Sequence, residues 1–68
     1  MASIFRDPVV LSFVDEDNLE LGRVTNPTAI PRVGENVRLA GVPHVVQRVG
    51  YDVPQDTIER VWVVCRRA

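Results

Sequence analysis

Between Gly22 and Pro54 of this 68-residue chain, no stretch free of both proline and glycine is longer than six residues. Such segments cannot hold a helix of ordinary length. Proline removes a helical hydrogen bond and clashes with the preceding turn, and an interior glycine costs about 1 kcal/mol against alanine. Short runs between turn signals fit strands of about five or six residues. The two longer runs, 9–21 and 55–68, are rich in valine, whose branched Cβ packs well on a pleated surface. The expectation is one all-β domain over residues 1–68, a small five-stranded antiparallel barrel, with residues 1–8 as a loosely ordered N-terminal arm.

The strands follow from alternation and punctuation. Strand one is Val9 to Val14, broken by the acidic turn Asp15-Glu16-Asp17-Asn18, whose residue types bond their own backbone. Strand two, Leu19 to Val24, completes a hairpin. Thr25 to Pro31 reads as a crossing loop, with Asn26 held extended by Pro27 and Ile30 tucked into the core. Arg32-Val33-Gly34-Glu35 turns the chain into strand three, Asn36 to Leu39. Ala40-Gly41 is a tight turn, and strand four runs from Val42 to Tyr51 with a bulge expected at Gly50. Alternation there puts Val45 and Val49 on one face and His44, Val46 and Arg48 on the other. Strand five is Thr57 to Arg66.

The stretch IPRVGENVRLAGVPHVVQRVGYDV, residues 30–53, resembles a pattern found in short bacterial and phage proteins with Src-homology-3-like barrels. The resemblance lies in the proline, the Val-Gly-Glu turn, the alternating strand, the Gly turn and the long strand closing on Tyr-Asp. It implies an architecture and no activity, because this fold hosts unrelated functions, and it carries no site residue over.

Charge and cysteine content narrow the function classes. Residues 1–35 hold three arginines against six carboxylates, net −3. Residues 36–68 hold five against three, net +2. That asymmetry is far from the strongly basic domain expected of a dedicated nucleic-acid binder. All eight cations are arginine, so lysine-based Schiff-base or Walker-type chemistry is excluded. One Cys and one His cannot build a structural zinc site, which wants four such ligands. The acidic turn fails the EF-hand spacing, which needs glycine at the sixth position where Glu20 stands. No catalytic motif is present, and no cofactor is expected. Cys65 reads as a small buried hydrophobe and His44 as a surface or strand-edge residue. A lone cysteine and the lack of any long apolar run predict a cytoplasmic protein.

Strand five departs from the pattern of a half-solvated strand. Val61, Val63 and Cys65 fall on one side as core, yet Trp62 and Val64 on the other side are also apolar and lie between Arg60 and Arg66. If strand four pairs with it, Val46 and Arg48 lie beside this row. Val46, Arg48, Arg60, Trp62, Val64 and Arg66 are therefore the interface candidates. Aromatic and Arg residues suit interface centres, and a domain this small gains stability from a second copy. The first expectation is a small interaction module that forms a homo-oligomer through the Trp62 surface. A second is a nucleic-acid-binding barrel using these arginines with Arg67. A third is an enzyme whose site forms between subunits. In the alternative reading of Trp62, the N-terminal segment or the Thr25–Pro31 loop covers it.

Overall fold

The computed structural model describes residues 5–68, and side chains from Pro8 onward. Five strands form one curled, mixed sheet, a half-barrel: β1 (Phe5–Val14), β2 (Glu20–Thr25), β3 (Asn36–Leu39), β4 (Val42–Asp52) and β5 (Ile58–Arg67), in the order β2-β1-β5-β4-β3. Residues 1–4 of the expected arm lie outside the described residues, and Phe5 to Pro8 belong to β1. Pro8 lacks an N–H, and the β1–β5 ladder is irregular between Phe5 and Val10, where it sits.

The all-β expectation holds; the all-antiparallel one does not. β1 and β5, the central pair, run parallel from Val10↔Arg60 to Val14↔Val64. The reason lies in the connections. The β1–β2 hairpin and the β3–β4–β5 meander are each antiparallel. Residues 26–35 carry the chain from one sheet edge to the other, so the two units join through β1 and β5 pointing the same way. Ile30, from this crossing loop, packs against the core as expected.

Val9, Leu11, Phe13, Val46, Val61, Val63 and Cys65 form the core on the concave side. The assignment of Val61, Val63 and Cys65 to one face of β5 is correct. The faces of β4 need correction. Its register with β5 shifts between Val46 and Arg48, which pair with Cys65 and Val64. Two steps on β4 thus match one on β5, and Gln47 is the extra residue of a bulge. His44 and Val46 point into the core before it, and Val49 packs there after it. The bulge is not at Gly50, which pairs regularly with Trp62.

The turns show how local chemistry sets the chain path. Asp15 Oδ1 accepts the N–H groups of Asp17 (2.8 Å) and Leu19 (2.9 Å), closing the acidic hairpin tip. Ala40 and Gly41 both have positive φ, 51° and 81°, the geometry that matches the twist of a two-residue hairpin. Asn26 is left-handed at φ 52° rather than extended. Its backbone N–H reaches Val9 O at 2.7 Å and its Oδ1 accepts Val9 N–H at 2.9 Å.

Candidate functional site: the outer face of the central strand pair

The side of the sheet away from the core is ordered by register into three rungs across β2, β1, β5 and β4. They read Thr25–Val10–Arg60–Asp52, Arg23–Ser12–Trp62–Gly50 and Glu20–Val14–Val64–Arg48. Four of the six interface candidates, Arg48, Arg60, Trp62 and Val64, meet here. Arg66 follows on the same side of β5, exposed, opposite Val45. Val46 does not join them: the Gln47 bulge turns it into the core, where it is 1% exposed. Arg67, proposed for a nucleic-acid surface, pairs with His44 on the other side.

Two residues of this outer face were missed by sequence reasoning. Ser12 is 0% and Val14 3% exposed, although both point away from the core and neither belongs to its cluster. The central pair is therefore buried on both sides. Parallel strands are usually found in that condition, with something lying over each face. Val10 and Val14, apolar where a solvated face would carry polar residues, were the available signal in the sequence.

Trp62 is half-buried and held by its own chain. Its Nε1–H donates to Asp52 Oδ2 at 3.0 Å, and the Arg60 guanidinium lies 4.9 Å from the ring centroid, within cation–π range. The Thr25–Pro31 loop does not cover it, since Ile30 packs on the core side. The side chains of the first seven residues lie outside the description. Beside Trp62 is a shallow depression of about 270 Å³ among Val14, Arg48, Gly50 and Val64.

Charges rim the apolar centre. On β2, Arg23 donates to Glu20 at 3.0 and 3.3 Å. That contact holds the Glu20 carboxyl below its ordinary value, with a minor contribution from the nearby Ser12 hydroxyl. Ser12 Oγ itself makes no hydrogen bond among the described residues. On β4, Arg48 and Asp52 are exposed.

A second concavity, about 590 Å³, lies at the same end of the strands on the core side, between the acidic turn and Arg66-Arg67, and is lined also by His44 and Cys65. His44 is 9% exposed, not a surface residue, and its Nδ1 donates to Val42 O at 2.8 Å. Burial pushes the Cys65 thiol up, away from the reactive thiolate. Among the described residues no three metal-ligating side chains come together, and no helix is long and apolar enough to cross a membrane.

No family model, curated protein or solved structure matches this chain. The functional reading therefore rests on the geometry of the outer face.

Proposed function

We propose that this protein is a self-associating interaction module whose contact surface is the outer face of β1 and β5 around Trp62. The observation that carries the reading is the burial of Ser12 and Val14 on that face, outside the core. A parallel pair closed on the core side and nearly closed on the other needs only a flat partner to complete its cover. The accessible part of the face has an apolar centre of Val10, Trp62 and Val64 and a charged rim, the anatomy of a protein–protein contact. Trp62 is pre-set by Asp52 and Arg60, so ordering it at an interface costs little.

A nucleic-acid surface fits less well. Glu20 and Asp52 interleave with the arginines, and Arg60 occupies one face of the only indole available for base stacking. We also place the half-barrel in the Src-homology-3-like class, on the Gly34 turn and the β3–β4 hairpin within the resembling segment. Backbone NMR contacts showing a strand order other than β2-β1-β5-β4-β3 would remove that placement.

The test of self-association is light scattering coupled to size exclusion, from micromolar to millimolar protein, together with Trp62 fluorescence on dilution. A mass rising above that of one chain, with Trp62 emission shifting red on dilution, is the expected result. A monomer at every concentration overturns it.

A further inference from the structure

The sheet register also says how the second copy sits, an inference that rests on the self-association reading. Along the strands, the β2 rim of the outer face runs Glu20 then Arg23, and the β4 rim runs Arg48 then Asp52. Glu20 and Arg48 end the same rung, on either side of Val14 and Val64. The two rims thus carry opposite signs at the Glu20/Arg48 level, with Arg23 and Asp52 one rung apart beyond it. We propose that a second copy stacks outer face to outer face about a two-fold axis parallel to β1 and β5, running between them, so that Glu20 of each copy meets the partner's Arg48.

That axis exchanges the two rims while keeping each rung at its level. Val64 and Trp62 of each copy then lie over the partner's β1, where Ser12 and Val14 are already enclosed by their own chain. Arg23 comes within one rung of the partner's Asp52. Glu20 and Arg23 already hold each other at 3.0 Å, so the contact extends that pair into a four-charge network on each side. Isologous contacts require a self-complementary patch, and this face has one. The other face-to-face two-fold, crosswise to the strands, stacks Trp62 on the partner's Trp62 and sets Val64 against the partner's Arg60. It sets Arg48 against the partner's Asp52 but leaves Glu20 facing Thr25. Aligned stacking of two twisted sheets is the geometry of a β-sandwich. The three rungs make a small patch beside the roughly 800 Å² per partner of a standard interface, so association is expected to be concentration-dependent.

Charge reversal tests the arrangement on the full chain. Glu20 and Arg48 are both exposed, so Glu20→Arg and Arg48→Glu should each fold, checked by thermal melts. Each reversal creates two like-charge contacts per dimer and is expected to weaken dimerisation about tenfold or more. The double variant, and equally a one-to-one mixture of the two single variants, should return to within about threefold of wild type. Recovery in the mixture excludes an effect inside one chain. If wild type dimerises but single reversals leave it unchanged, the two-fold register is wrong and self-association stands. Rescue of Arg48→Glu by Asp52→Arg instead of by Glu20→Arg overturns it in favour of the crosswise axis, which faces Arg48 with the partner's Asp52. A monomeric wild type removes both.

Discussion

Asn26 continues the β1–β2 ladder past its last strand residue by pairing both its backbone N–H and its side-chain Oδ1 with Val9. The left-handed φ of 52° makes this double contact possible. Asparagine tolerates that region better than other non-glycine residues. Pro27 then turns the chain toward the crossing loop.

The Asn26→Ala variant should therefore lose about 2 kcal/mol. It strands the part-buried Val9 N–H, at about 1–3 kcal/mol, and forces alanine into the left-handed region. Asn26→Asp keeps the acceptor and should lose clearly less. Urea unfolding of the three proteins checks this. Equal midpoints for wild type and Asn26→Ala would mean that the contact with Val9 contributes nothing.

The elements were largely legible in the sequence, for physical reasons. Pro27, Pro31, Gly34 and Gly41 fall in the loops that flank the β3–β4 hairpin and its turn, so β3 comes out at Asn36–Leu39 as expected, although Pro8, Gly22 and Gly50 lie within strands. Strict alternation in β5 placed Val61, Val63 and Cys65 inside. Three features were not legible. The bulge at Gln47 carries no glycine or proline mark; it is a mismatch of counts between two strands, visible only once β4 is laid beside β5. It moved Val46 from the candidate surface to the core. The parallel β1–β5 pair depends on which sheet edge the 26–35 loop reaches, a long-range outcome that local propensity does not encode. The conformation of Asn26 is the third, because its contact with Val9 outweighs the extended preference of a residue before proline. The outer face was half legible: Trp62 and Val64 stood out on β5, while Ser12 and Val14 needed the β1–β5 register.

Ala40 occupies a position where a side-chain-bearing residue is strained, at φ 51°, followed by Gly41 at φ 81°. Turns of this kind favour Asn-Gly. Ala40→Asn should raise stability by about 0.5–1 kcal/mol, because asparagine visits the left-handed region more cheaply than alanine. A thermal melt reads the change. A lower midpoint for Ala40→Asn would show that the hairpin does not resist alanine there.

The buried Cys65 thiol predicts an alkaline signature. Burial raises its pKa above the ordinary value of 9.0, so the folded state holds the proton more tightly than the unfolded chain. The associated stability is fully present below about pH 9 and is lost as pH rises through the folded-state value. The stability difference between wild type and Cys65→Ala should therefore be constant from pH 6 to about 8.5 and shrink at higher pH, in urea melts under reducing conditions. Labelling by a thiol reagent should be slow in the native protein and fast in urea. Fast native labelling would place the thiol at the surface.

Ser12 is the clearest place where this fold carries a removable cost. Its side chain is fully enclosed, and its Oγ makes no hydrogen bond among the described residues. An unsatisfied buried hydroxyl costs about 1–3 kcal/mol. Alanine removes that cost and leaves a space of one oxygen atom. Ser12→Ala should therefore be more stable by about 1 kcal/mol, which for a domain this size raises the melting midpoint by about 4–8 °C. The gain should persist at concentrations where the protein is monomeric, because the enclosure of Ser12 belongs to the single chain. Dimerisation should change little, since the hydroxyl presents no surface to a partner. Should Ser12→Ala instead lose 1 kcal/mol or more, the hydroxyl must be satisfied in solution. The Glu20 carboxylate, on the neighbouring strand, would be the acceptor to examine by pairing Ser12→Ala with Glu20→Gln in a double-mutant cycle.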